Sequence, residues 1–200
     1  MKLITTLSLG LAIALLSGCH NSSTNSSGSY KVTLTNKTTG QVMAPMAAAL
    51  HSKTFHVFQE GEKASVGLEH LAEGGAPTEL LAELKANPDV YDAKPGKNTE
   101  DTVIKPGKTA TTTLETSKGG ACLSVTSMLV FTNDGFAGAD CVDLDGVEAG
   151  DKKTINLNTY DAGTEQNTET AATVPGLKGE GFNAIRDDSH HIGVFSLLQM

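Results

Sequence analysis

The stretch "ACLSVTSMLVFTNDGF", residues 121–136, is the most apolar part of the chain beyond its first twenty residues. Its apolar and small side chains run from Cys122 to Phe131 without a charge. The Asn-Asp-Gly sequence that follows is typical of a turn. We therefore predict a central strand over Cys122–Phe131, followed directly by a tight, acidic turn.

Other segments carry the alternation that is typical of strands. In "YKVTLTN", residues 30–36, Tyr30, Val32 and Leu34 face one way and polar residues the other, which predicts a half-buried strand. Five further segments predict strands or extended pieces: "KTFHVFQEG" (53–61), the two runs on either side of a Pro-Gly turn in 101–116, Ile155–Tyr160, and "HIGVFSLLQM" (191–200).

Two stretches have helical rather than strand periodicity. Apolar residues recur at helical spacing in "KASVGLEHLAE" (63–73) and again in "PTELLAELKA" (77–86), where Pro77 marks the start. The whole pattern predicts a mainly β domain over residues 30–200, an antiparallel β-sandwich with two short inserted helices.

The composition of the chain indicates which classes of binding partner to expect. The 200 residues are enough for one domain, only 4% of them are aromatic, and the formal net charge is -8. An acidic chain is a poor partner for a phosphate backbone, so we expect no nucleic-acid binding. A surplus of carboxylates is better suited to a divalent cation.

The N-terminus predicts export. Residues 1–18 combine a Lys near the start with an apolar run too short to span a membrane, as in a secretory signal peptide. The run ends in "LSGC", which resembles the lipobox of bacterial lipoproteins and implies that Cys19 is lipidated and anchors the protein to a membrane. The alternative is an ordinary signal peptide that contains a Cys. His20, where Asp would favour the inner membrane, implies an outer-membrane location in the bacterial cell envelope.

The residues after Cys19 predict a tether and then a disulfide. Residues 19–29 are rich in Ser and Asn, contribute no apolar side chain after the Cys, and are predicted to be flexible. Cys122 and Cys141 are the two remaining Cys residues. In an oxidising compartment we expect them to form a disulfide. Two free, buried thiols are the alternative.

Two acidic turns predict a cation site. Asp134 follows the central strand, and Asp161 and Glu165 follow the Ile155–Tyr160 strand. If both strands end at the same edge of a sheet, three carboxylates come together, and like charges at short range need a cation or a shifted pKa. Oxygen ligands in flexible turns suit Ca²⁺, and the absence of His and Cys argues against Zn²⁺. The alternative is two ordinary surface turns.

A second acidic segment competes with these turns. It contains four acids within nine residues, Asp140, Asp143, Asp145 and Glu148. It resembles half of an EF-hand loop, but Cys141 and Lys152 fall on the first and last ligand positions of that template. We therefore expect a solvated loop there.

Candidate catalytic residues are few. "EKASVG" around Ser65 lacks the first Gly of a nucleophile elbow, because Lys63 occupies that position. His51 and His56 have no partner at the spacing of a metalloprotease motif. We expect a protein that is not an enzyme.

Three motifs resemble the spondin N-terminal domain family. They are "HSKTFHVFQEGEKASVGLEHLAEGG" (51–75), "NDGFAG" (133–138) and "YDAGTE" (160–165), in the family's order. The resemblance is closer to a bacterial branch in which the domain stands alone behind a signal peptide.

The resemblance implies a β-sandwich with a cation bound at one end. Asp134, Asp161 and Glu165 fall on the family's metal-ligand positions, and Glu165 stands where animal members have Asp. We therefore expect a surface-anchored, Ca²⁺-binding adhesion or interaction module whose ligand is an unknown protein or glycan. The alternatives are a metal-dependent hydrolase and a structural lipoprotein without a metal site.

Overall fold

The structure, a computed structural model, describes residues 28–98, 100–168, 170–187 and 190–194. Within these ranges eight strands and two α-helices follow one another in the chain. They are β1 (Gly28–Thr35), β2 (Ala47–Ser52), α1 (Val66–Gly74), α2 (Thr78–Ala86), β3 (Val90–Pro95), β4 (Thr109–Thr116), β5 (Ala121–Met128), β6 (Gly135–Asp143), β7 (Asn158–Asp161) and β8 (Gly193–Val194). A 3₁₀ turn spans Pro175–Leu177.

The strands form two antiparallel sheets, which confirms the predicted mainly β class. One sheet pairs β1 with β4, and the other has six strands in the order β3-β2-β5-β6-β7-β8. The predicted central strand is β5, which lies inside the six-stranded sheet between β2 and β6. The predicted strand at Tyr30–Asn36 is also confirmed, because it corresponds to β1.

The six-stranded sheet is covered on both faces. In β2, Ala48 and Leu50 pack with the inward side chains of β1 and β4, whereas Ala47 and Ala49 pack beneath the two helices. Alternate residues of a strand point to opposite faces, so one strand joins both cores. Since all four side chains are buried, β2 lacks the apolar–polar alternation of a half-exposed strand.

The helices begin and end at residues suited to those positions. Ser65 caps α1 and accepts a hydrogen bond from the Leu68 N–H at 3.1 Å. Gly75 ends the helix with a φ of 69°, a left-handed conformation that glycine adopts without strain. Pro77 immediately precedes α2, as the sequence predicted. The helices place Leu68, Leu71 and the leucines of α2 on the sheet.

Three sequence predictions of strand position were wrong. The second strand is Ala47–Ser52 rather than the 53–61 segment, which forms turns. β3, Val90–Pro95, lies in a stretch where no strand was predicted, and β7 begins at Asn158 rather than at Ile155. Polar side chains and Pro interrupt the apolar pattern of β3, so the sequence did not indicate a strand there. Ile155 is more than a third exposed and contributes little to a core.

Cys122 and Cys141 form the predicted disulfide, with their Cα atoms 4.6 Å apart. It joins β5 to β6 and indicates that the protein folds in an oxidising compartment, as a secreted protein does. The predicted signal peptide, the predicted lipidation site Cys19 and most of the predicted tether lie outside the described residues. Neither described helix has the length and apolar character needed to cross a membrane.

Candidate functional site

The first acidic turn is held by a buried hydroxyl. Thr132 donates from its Oγ1 to the Leu129 carbonyl at 2.7 Å and accepts from the Gly135 N–H at 3.0 Å. A Cβ on Gly135 would lie 2.5 Å from that same Oγ1, so the turn closes this tightly only around glycine. As a result Asn133 and Asp134, at the tip of the turn, are both 1% exposed.

The second acidic turn lies beside the first because β6 pairs with β7. Gly135 is in register with Asp161, and the Ala162 N–H donates to the Asp134 carbonyl at 3.1 Å. Asp161 then closes the second turn by accepting from the Gly163 N–H at 2.7 Å. Gly163 has a φ of 69°, and a Cβ there would lie 2.8 Å from the backbone of His191.

The two turns meet at the Asp134 carboxylate. Its Oδ2 accepts from the backbone N–H of Thr164 at 2.9 Å and from that of Glu165 at 3.2 Å. Glu165 is 7% exposed, so its carboxyl is buried beside Asp134. We call Asp134, Asp161 and Glu165 the acidic site. Its residues come together because β6 brings the ends of β5 and β7 to the same edge of the sheet.

The acidic site holds its charges at an electrostatic cost. Burial, and then the neighbouring Asp161 carboxylate, raise the pKa of Asp134 to about 7, although two backbone N–H groups oppose the shift. Burial, and then the charges of Glu73 and Asp134, raise the pKa of Glu165 to about 8. Neither carboxyl forms an ion pair with a described Lys or Arg side chain. Ionised carboxylates in this position would be stabilised by a cation.

Sequence reasoning missed Glu73, a fourth acid next to the site. It lies in the last turn of α1, is 1% exposed, and accepts from the Asn183 N–H at 2.9 Å. Burial raises its pKa, and its charge contributes to the raised pKa of both Asp134 and Glu165. The sequence did contain a signal. Glu69 and Glu73, four residues apart, are like charges on one helical face that borders the apolar stripe.

The donor set fits a hard divalent cation. Three buried oxygens here have no hydrogen-bond partner, namely Asn133 Oδ1, Glu165 Oε1 and Glu73 Oε1. Carboxylate and amide oxygens are the ligands that Ca²⁺ prefers. Within the described ranges, however, no three His, Cys, Asp or Glu side chains are yet close enough to hold one metal ion. Cation binding therefore requires the acidic side chains to rotate inward.

The rival acidic segment is neutralised by the protein's own groups. Lys53 Nζ donates to Asp143 at 2.8 Å and to Asp145 at 2.5 Å, on an exposed surface. Asp140 lies in β6 and accepts from the Val57 N–H at 2.8 Å, while its other oxygen is 2.6 Å from His56 Nδ1. These acids have basic partners, whereas no described Lys or Arg side chain pairs with the buried carboxyls of the acidic site.

The candidate catalytic residues have structural contacts. Ser65 caps α1, and its hydroxyl donates to Glu83 at 2.7 Å. His51 is fully buried, with Nε2 2.7 Å from Ser124 Oγ and Nδ1 2.8 Å from the Ser52 carbonyl. Since Ser124 is 1% exposed, a substrate cannot reach this His–Ser pair without opening the core.

The Spondin_N family model matches residues 33–189, which include both turns, both helices and the disulfide. This chain belongs to the Spondin_N family. Spondin_N domains are adhesion-type modules and are in general non-catalytic. No curated protein matches the chain at a significant level.

Proposed function

We propose that this Spondin_N protein is an envelope-anchored adhesion or interaction module whose acidic site binds Ca²⁺. Asp134, Asp161 and Glu165 would hold the ion, and backbone carbonyls and water would complete a shell of oxygen ligands. The ion would link the two turns across the edge of the sheet and so present a fixed surface to a protein or glycan ligand.

One observation carries this proposal: the acidic site has buried carboxyls without a basic partner in the described part of the chain. An isolated buried carboxylate is costly, and a fold gains nothing from two of them unless something compensates the charge. A bound divalent cation does so and leaves the backbone N–H contacts to Asp134 in place. Ca²⁺ is abundant outside the cytoplasm, so an affinity in the range of roughly 10⁻⁴ to 10⁻³ M would be sufficient.

Thermal unfolding with and without Ca²⁺ tests the site. A ligand that binds only the native state raises its stability, by about 2.7 kcal/mol at a hundredfold excess over Kd. Added Ca²⁺ should therefore raise Tm and a chelator should lower it. Asp161→Asn should remove the response, whereas Asp145→Asn, an exposed acid paired with Lys53, should retain it. A wild-type Tm that changes with neither Ca²⁺ nor chelator would contradict the proposal.

The anchor is a separate part of the proposal and rests on "LSGC" at residues 16–19. Lipid attached to Cys19 would fix the domain to the outer membrane of a bacterial cell envelope through the tether. Detergent phase separation of wild type and Cys19→Ser tests this. The wild-type protein should partition with the detergent and the variant with water, and equal partitioning of the two would exclude the anchor.

A further inference from the structure

Glu73 is in a position where a carboxylate is unfavourable. It lies in the last turn of α1, where the helix dipole favours positive charge, and it is almost completely buried. Its Oε2 accepts from the neutral Asn183 N–H, and its Oε1 is buried without a partner. The fold therefore satisfies half of this carboxylate and leaves one oxygen unused.

Glu69 shows how the same helix satisfies an acid that has only a structural role. It is one turn earlier, is 4% exposed, and receives a hydrogen bond from Arg186 Nη1 at 2.9 Å. Arg186 also donates to the Ala64 carbonyl, so the ion pair ties the segment near residue 186 to the start of α1. No described Lys or Arg side chain forms an ion pair with Glu73. Two buried acids on one face of α1 therefore differ in whether the protein supplies the positive charge.

The unused oxygen of Glu73 belongs with two others next to the acidic site. Residues 183–187 link Glu73 to the second turn, because the N–H of Asn183 donates to Glu73 and the N–H of Asp187 donates to the Thr164 carbonyl at 2.9 Å. Asn133 Nδ2 donates to the Gln166 carbonyl at 2.9 Å, which leaves Asn133 Oδ1 buried without a partner. Glu165 Oε1 is the third such oxygen. Three separate segments of the chain thus each leave one buried acceptor unused in this small region.

We propose that Glu73 is a fourth acidic ligand of the cation site, delivered by α1, and that Asn133 Oδ1 is a neutral fifth ligand. This inference rests on the proposed function, because it assumes that the acidic site binds Ca²⁺. Two added protein oxygens favour Ca²⁺, which takes six to eight oxygen ligands, over Mg²⁺, which retains several of its waters. The ion would then connect α1 to both turns, so that occupancy of the site stabilises the end of the helix.

Calorimetric titration of the full mature protein with Ca²⁺ and with Mg²⁺ tests the ligand assignment. Glu73→Gln should weaken Ca²⁺ binding by at least about 10- to 100-fold, since loss of even an outer-shell partner of a metal ligand has an effect of that size. The same variant, without metal, should melt at or above the wild-type temperature, because Gln still accepts from Asn183 and carries no buried charge. Lower affinity together with undiminished stability is not expected of a purely structural residue.

Glu69→Gln is the matched control. It should lower Tm, because it breaks the ion pair with Arg186, and leave the Kd for Ca²⁺ unchanged. An unchanged Kd in a folded Glu73→Gln variant would overturn the inference, while a wild-type protein that binds no Ca²⁺ would overturn the proposed function itself. If Glu73→Gln does not fold, amide hydrogen exchange of the wild-type protein tests whether Glu73 binds the ion. Ca²⁺ should slow exchange in the last turn of α1, and no change there would exclude Glu73.

Discussion

The two acidic regions of the molecule differ in how their charge is balanced. Asp140 and Asp143 lie in the second half of β6 and Asp145 just beyond it. Lys53, His56 and backbone N–H groups bind these three acids. A disulfide braces the same strand. The acidic site lies at the other end of β6, where the buried Asp134 carboxylate accepts from two backbone N–H groups. Neither Asp134 nor Glu165 has a basic side-chain partner among the described residues. The protein's own groups neutralise one end of the strand, and we propose that an external cation neutralises the other.

The number of acids in a segment therefore does not show how much of its charge the protein leaves uncompensated. The segment after residue 139 is the richer in acids, yet its exposed ion pairs contribute little. Burial distinguishes the two segments, because an ionised carboxylate that is buried without a partner has an unfavourable free energy, which a bound cation would reduce. The predictions below separate the two ends of β6 by breaking one and observing the other.

Removing the disulfide should have the largest effect on stability. Cys122 and Cys141 are separated by 19 positions, and closing a loop of that size contributes about 3 kcal/mol in the chain-entropy model. Cys122→Ala/Cys141→Ala should lower the free energy of unfolding by this amount in urea. The rise in Tm with Ca²⁺ should persist, because the acidic site is at the opposite end of β6. Loss of that rise in a folded variant would mean that the two ends are coupled.

The sequence predicted the residues that meet at the acidic site better than the strands that bring them together. The turns at Asp134 and at Asp161–Glu165 depend on short local sequence patterns, and these could be recognised in the sequence. β6, the strand between the turns, was not predicted, because Gly, Ala and Asp interrupt its pattern. β2 was missed for a related reason, since a strand buried on both faces has no polar alternation.

Glu73 is the neighbouring acid that the sequence pattern did not predict. It is far from both turns along the chain and reaches them only because α1 packs on the six-stranded sheet. Tertiary packing of this kind leaves no spacing rule in the sequence. The like-charge pair Glu69 and Glu73 was the one available hint, and it does not distinguish an acid paired with Arg186 from an acid near a cation site.

Ser124 supports the braced end of β6 from within the core. Its hydroxyl donates to Asp140 at 2.8 Å and accepts from the Cys141 N–H at 2.9 Å, and His51 lies 2.7 Å away. Ser124→Ala removes the hydroxyl that the Cys141 N–H and His51 Nε2 contact, whereas Asp140 retains Val57 and His56. The lost contacts should cost about 1–3 kcal/mol. Urea unfolding measures the loss. The Ca²⁺ response should again be intact, and a variant that unfolds like wild type would show that water replaces the hydroxyl.

The ion-free protein should become less stable as pH rises. The folded-state pKa of Asp134 is about 7 against an ordinary 3.8, and that of Glu165 is about 8 against 4.5. Between about pH 4 and pH 8 the folded state therefore binds more protons than the unfolded state, and its stability falls through this window. The slope is at most about 1.4 kcal/mol per pH unit for each carboxyl.

Urea unfolding of the chelator-treated protein at pH 5, 6, 7 and 8 measures how the free energy of unfolding depends on pH. Asp134→Asn should flatten the curve, because the variant no longer takes up that proton. Saturating Ca²⁺ should flatten it in wild type near pH 7, because the ion replaces the protons. A wild-type curve that rises with pH would show that the acidic site is not the dominant titrating region.

Asp143→Ala should have the smallest effect. Asp143 is exposed, and Lys53 and the Asp145 N–H lower its pKa, so its ionised form is already stabilised. The alanine variant should leave both Tm and its rise with Ca²⁺ within measurement error, since Lys53 retains Asp145 and exposed ion pairs contribute little. The pair of variants Asp143→Ala and Asp161→Ala then assigns the cation to one end of β6. If the Ca²⁺ response is lost in the first and kept in the second, the ion binds at the acid-rich segment, and burial is not the deciding property.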